Sequence, residues 1–187
     1  LMQHDWKEFF PYPEIRKEQE IAIDFALESF IGESKKYVII EAGTGVGKSA
    51  IGFTIAQYFD SYVKGDGTYY LTTQKVLQKQ YVNDFKKKGM KSLQSSSNFQ
   101  CKYYKGKDCS TARKEIKVSQ DSKFKQSCGG NGCVYRKAKQ EFIQSDHGVT
   151  NFSYFLAETH FAKELETRTM MVVDECHNTE IQLGNFI

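Results

Sequence analysis

Two short segments of this chain carry residues able to handle a phosphate chain. In Ala42-Gly43-Thr44-Gly45-Val46-Gly47-Lys48-Ser49, glycines alternate with other residues ahead of a lysine and a hydroxyl. Such a loop turns the N–H groups of Gly43, Thr44, Gly45, Val46 and Gly47 toward an oxyanion. Lys48 would reach the β- and γ-phosphates, and the Ser49 hydroxyl would complete a Mg2+ shell. Ala42 stands where the common spacing has a further glycine. The second segment, Met170-Met171-Val172-Val173-Asp174-Glu175-Cys176-His177, places two adjacent acids after four apolar residues. Asp174 could hold Mg2+, and Glu175 could polarise an attacking water. A glycine-rich turn and a charged strand end would account for each segment alone. Together they point to nucleoside triphosphate hydrolysis, since transfer to an acceptor seldom needs the second acid.

Between these segments stand four of the five cysteines, Cys101, Cys109, Cys128 and Cys133, with intervals of seven, eighteen and four residues. Residues 95–139 are poor in large apolar side chains and need a staple. Four thiolates could bind an iron–sulfur cluster or a tetrahedral zinc, and the spacing leaves both open. Neither close pair is the two-residue interval usual in zinc ribbons. Gly129, Gly130 and Gly132 would let the chain wrap tightly around the group held.

The elements that must position these residues alternate. A helix is expected over residues 15–31, with Ile23, Leu27 and Phe30 at helical spacing. Tyr37–Glu41 reads as a fully buried strand leading into the glycine loop, and a helix follows from about Gly47. A second strand spans Thr68–Thr72. Its helix carries Leu77, Tyr81 and Phe85 and closes at Lys86-Lys87-Lys88-Gly89. After the cysteine segment come a strand near His147–Thr150, a helix from Phe152 to about Leu165, and the strand Thr169–Asp174. This alternation predicts an α/β domain with a parallel sheet and right-handed crossovers. Residues 1–94 and 140–187 would form it, with 95–139 as a cysteine-rich insert.

A chain of 187 residues, 40% hydrophobic, suits one such domain with an embedded module. The net charge of +3 conceals an asymmetry, because residues 90–146 hold 12 Lys/Arg against 5 Asp/Glu. A basic module on a mildly acidic domain fits an anionic polymer, although a solvated lysine-rich surface would look the same. No apolar run is long enough to span a bilayer, and residues 1–5 lack the regions of a signal peptide. The expectation is a protein that is neither secreted nor in a membrane: cytoplasmic, or nuclear in a eukaryote.

Asp174-Glu175-Cys176-His177 resembles the DExH box of superfamily 2 helicases, and Ala42 suits the helicase form of the phosphate loop. The lead-in Phe9-Phe10-Pro11-Tyr12-Pro13-Glu14-Ile15-Arg16-Lys17-Glu18-Gln19 is similar to the adenine-side segment of XPD/DinG-type iron–sulfur DNA helicases. That resemblance implies a RecA-like first motor domain binding ATP and Mg2+. Arg16 and Gln19 would lie near the base, and Asp174, Glu175 and His177 in the hydrolytic centre. Cys101, Cys109, Cys128 and Cys133 would ligate a [4Fe–4S] cluster, with zinc the second choice. It further implies contacts with single-stranded DNA, or a single/double-strand junction, through Thr73, Gln74, Lys102, Tyr103 and Asn151. Helix capping would explain several of these polar groups equally well. Lys105, Lys107, Arg113, Lys114, Lys117, Lys123 and Lys125, interleaved with Tyr104 and Phe124, extend that surface. A second motor domain would supply the missing arginines, so the chain alone is expected to bind nucleotide but hydrolyse it poorly.

Overall fold

The computed structural model describes residues 5–118, 128 and 132–184. Lys123, Lys125, Phe124, Gly129 and Gly130, and the Lys117 side chain, lie outside the described residues. Four strands form one parallel sheet: β1 (Thr68–Thr72), β2 (Lys91–Leu93), β3 (His147–Asn151) and β4 (Met170–Val173), in the order β2-β3-β1-β4. Strand β1 pairs Thr68 with His147 on one side and with Met170 on the other, so all five of its residues are buried.

Alternation along β1 divides the core into two layers. Tyr70 points into a cluster with Trp6, Ile23, Phe53, Tyr81 and Phe85, contributed in part by α1 (Lys17–Leu27), α2 (Lys48–Val63) and α3 (Lys75–Phe85). Tyr69 and Leu71 point the opposite way, toward Phe142, Phe152 and Phe155. Those side chains come from α5 (Val134–Ile143) and α6 (Phe152–Ala157). Both faces of the sheet are thus covered, as parallel sheets require. Helix α4 (Cys109–Val118) lies within the cysteine segment, and α7 (Thr179–Gly184) follows β4.

Helix α2 lies so close to β4 that a Cβ at Gly52 would come within 2.9 Å of the Val172 side chain, which accounts for a glycine in mid-helix. On the other face, the Arg168 guanidinium donates to the carbonyls of Phe142 (3.0 Å), Ile143 (3.1 Å) and Thr68 (3.0 Å). It also lies 4.3 Å from the centroid of the Tyr69 ring. One cation therefore caps the C-terminus of α5 and fastens it to β1.

Two expectations need correction. Tyr37–Glu41 is not a strand: it makes no ladder, and Tyr37 and Ile39 are 86% and 80% exposed while Val38 and Ile40 pack on the core. The segment runs extended with one apolar face, and no strand among the described residues lies along the outer edge of β4 to pair with it. The helix expected to reach Leu165 ends at Ala157, then widens into a turn over Glu158–Ala162 that closes at Lys163 in the left-handed region.

Candidate nucleotide site and cysteine module

The glycine loop opens α2 at one end of the sheet. Gly45 and Gly47 have φ of +83° and +87°, a region open to glycine, and a Cβ at Gly47 would meet the Gln19 amide at 2.6 Å. The loop is held from α1. Arg16 Nη1 donates to the Gly45 carbonyl at 2.7 Å, and Gln19 Nε2 donates to that of Val46 at 2.8 Å. Gln19 Oε1 also accepts from the Arg16 backbone N–H at 2.9 Å, so one side chain caps α1 and restrains the loop. Both residues expected beside the base therefore grip the backbone of the glycine loop. Thr44 is exposed, and Val46 and Ser49 are half-buried.

Asp174 follows β4, its N–H donating to the Leu71 carbonyl at 2.9 Å. Burial, and then the neighbouring Glu175 charge, push its carboxyl above the ordinary range. Glu175 occupies the left-handed region (φ 55°), which is uncommon for a side chain of this kind. Its carboxylate oxygens reach Lys48 Nζ at 3.2 Å and His177 Nδ1 at 3.4 Å. Lys48 Nζ also donates to the Ala42 carbonyl at 3.5 Å. Lys48, far away in sequence, thus meets the segment Asp174, Glu175 and His177 at the C-terminal end of the strands, where open parallel sheets bind ligands.

Of the residues expected to contact nucleic acid, Thr73, Gln74 and Asn151 form a second group at the ends of β1 and β3. Asn151 caps α6 by accepting from the Ser153 N–H at 3.0 Å, and its amide donates to the Thr73 carbonyl at 3.2 Å. The capping role is realised, and it joins the two segments. Gln74 precedes α3 without a side-chain cap and is exposed.

In the cysteine module, an antiparallel bridge between Gln100 and Asp108 folds residues 99–109 into a loop. The Cys101 N–H donates to Lys107 O and the Cys109 N–H to Phe99 O. Cys133 caps α5. Cys101, Cys109, Cys128 and Cys133 line one cavity together with Lys102, Tyr103 and Arg113. Burial, then the nearby thiols of Cys133 and Cys101, push the Cys109 thiol up to about 11. Among the described residues, no group of three or more His, Cys, Asp and Glu side chains is drawn together closely enough to hold a metal ion. Lys102 and Tyr103 are exposed, whereas Lys107 is paired with Glu115.

Sequence reasoning missed the polar ties that join α5 to α6 and the segment after it. Lys139, on α5, is paired with Glu158 at 2.6 Å and Glu164 at 2.5 Å, and the Tyr135 and Tyr154 hydroxyls meet at 2.7 Å. In the sequence Lys139 is only one of the 12 Lys/Arg of residues 90–146. Only its place on the inner face of an amphipathic helix hinted at a partner.

Residues 12–184 match the family described as the type III restriction enzyme, res subunit. The chain is also 30% identical over 208 aligned positions to a protein of Methanocaldococcus jannaschii described as a "Probable ATP-dependent helicase". That alignment covers 96% of this chain and 31% of the relative, so the chain spans about a third of the relative's length. No described helix is long and apolar enough to cross a membrane. With its parallel α/β sheet and phosphate-loop site, the chain belongs to the family of the type III restriction enzyme res subunit, as a helicase-like domain of superfamily 2.

Proposed function

We propose that the chain is the ATP-binding motor domain of an ATP-dependent DNA helicase of the XPD/DinG type. Residues 1–94 and 140–187 act as the motor, and 95–139 as its cysteine-rich insert. The observation that carries the reading is the meeting of Lys48 with Glu175, beside Asp174, at the end of the parallel sheet. Lys48 and the loop N–H groups would take the phosphates, Ser49 and Asp174 the magnesium, and Glu175 the attacking water. The family match and the relative's description support this assignment. A partner motor domain would supply the remaining transition-state charge.

The common cavity lined by four cysteines, with Cys133 and Cys101 close enough to Cys109 to add to the effect of burial on its thiol, supports a [4Fe–4S] cluster held by Cys101, Cys109, Cys128 and Cys133. When bound, the cluster would supply folding free energy to a segment without a core of its own. Exposed Lys102 and Tyr103 beside it, with Thr73, Gln74 and Asn151, would meet the backbone and bases of single-stranded DNA.

Two measurements test the proposal. Magnesium-dependent binding of a fluorescent adenine nucleotide should be lost on Lys48→Ala. Metal analysis of protein purified without oxygen should find iron and acid-labile sulfide in equal amounts. Zinc at one per chain would instead make the insert a zinc-stapled nucleic-acid module. Absence of nucleotide binding would end the motor reading.

A further inference from the structure

Tyr103 stands in a short loop that is held at its base by the Gln100–Asp108 bridge and by the bond from the Cys101 N–H to Lys107 O. Its side chain is 45% exposed, yet it lines the cavity shared by the four cysteines. The ring therefore stands between the thiols and water. Its far end rests against Gly132, where a Cβ would collide with the Tyr103 hydroxyl oxygen and come within 3.2 Å of Cζ. Tyr103 follows Cys101 by two residues, and Gly132 precedes Cys133 by one. The contact thus joins two cysteine-bearing segments across the cavity and leaves no room for a side chain at position 132. Stacking on a base would need only an exposed ring, and neither the contact with Gly132 nor a place in the cavity wall. Tyr104 gives the contrast: its ring packs beneath the Lys107 ammonium, 4.6 Å from the centroid.

We propose that Tyr103 is a lid over the metal held by the four cysteines, its ring keeping water, chelators and oxidants out of the cavity, and that position 132 is glycine so that the lid can close. The inference deepens the cluster proposed above and rests on Cys101, Cys109, Cys128 and Cys133 being its ligands. The shell around a metal site controls the access of solvent to it. A flat ring can do so with one face while the other stays turned to solvent.

The test reads two rates on the 187-residue chain carrying Cys176→Ser, which removes the exposed thiol. One is iodoacetamide labelling of Cys101 and Cys133 in metal-free protein, followed by peptide mass spectrometry. The other is release of metal from protein purified without oxygen into a chromogenic chelator. Tyr103→Ala should raise both about fivefold or more, as expected when a covering group is lost. Tyr103→Phe should leave them unchanged, because the ring and not the hydroxyl does the covering. Gly132→Ala keeps the ring but pushes it outward. It should raise both rates too, and should add nothing in the Tyr103→Ala background. Tyr104→Ala should behave as the parent chain. Unchanged rates in Tyr103→Ala, or a full further effect of Gly132→Ala in its background, overturn the lid alone. Protein that holds no metal as purified removes the cluster proposed above, and the role of the lid with it.

Discussion

Lys48 Nζ stands 3.2 Å from a carboxylate oxygen of Glu175, so the cation proposed to take the phosphates is already engaged by the proposed general base. Both side chains are about one-third exposed (34% and 31%), and an ion pair in that setting contributes at most about 1 kcal/mol. Nucleotide must displace it. Glu175→Gln should therefore bind ATP as tightly as the parent chain or up to about fivefold more tightly, while turnover in the complete motor falls by roughly 10²-fold. Lys48→Ala should weaken ATP at least about tenfold. Titration and single-turnover hydrolysis separate the two effects, and weaker ATP binding by Glu175→Gln would contradict this account.

Arg16 and Gln19 both donate to carbonyls of the phosphate loop. Their loss should loosen the loop whatever the base. Arg16→Ala and Gln19→Ala should each weaken inorganic tripolyphosphate as well as ATP, by about three- to tenfold for one or two hydrogen bonds. Competition assays with both ligands decide it. Unaltered tripolyphosphate binding would restrict these residues to the adenine.

Arg168 caps α5 and lies against the Tyr69 ring. Arg168→Ala leaves several carbonyls without their donor and should cost about 2–4 kcal/mol in urea unfolding. Lysine should not restore it, because a single ammonium cannot reproduce the planar fork. Full stability of Arg168→Lys would show that charge alone suffices.

His147 is buried against Phe53, with Gln57 Nε2 3.0 Å from its Nε2 and the Tyr70 hydroxyl 3.4 Å from its Nδ1. Burial holds its pKa below the ordinary value of 6.5, against the opposing pull of Asp146 and Asp60. The unfolded chain therefore binds a proton that the folded chain refuses. Stability should fall as pH drops below about 6.5, with a slope of up to about 1.4 kcal/mol per pH unit until the folded group titrates. Urea titrations across this window should show the slope, and His147→Gln should flatten it.

Cys176 is exposed, whereas the Cys109 thiol is buried and pushed up to about 11. In metal-free protein near neutral pH, iodoacetamide should modify Cys176 well before Cys109, because the thiolate is the nucleophile. Peptide mass spectrometry gives the order. Early labelling of Cys109 would mean that burial and its neighbours do not raise it.

The motifs were legible because phosphate chemistry restricts residue type at close spacing. Three glycines, a lysine and a hydroxyl need no tertiary knowledge to be read. Helix α3 and strand β1 were legible too, since Leu77, Tyr81 and Phe85 keep helical spacing and Thr68–Thr72 is short and bounded by turns. Tyr37–Glu41 shows where such reading stops. A run of apolar residues reveals a wish to be buried, but the strand that would bury it must come from elsewhere in the fold.

Local order of side chains thus determined by itself the parallel α/β plan, the phosphate loop and its acidic counterpart, and the grouping of four thiols in a segment without a core. The folded chain decided which polar atoms meet. Gln19 reaches the loop, and Arg168 the end of α5. Hydrogen bonds and ion pairs act over about 3 Å, and partners remote in sequence come within that range only once packing of the sheet and its two helical layers has set their positions.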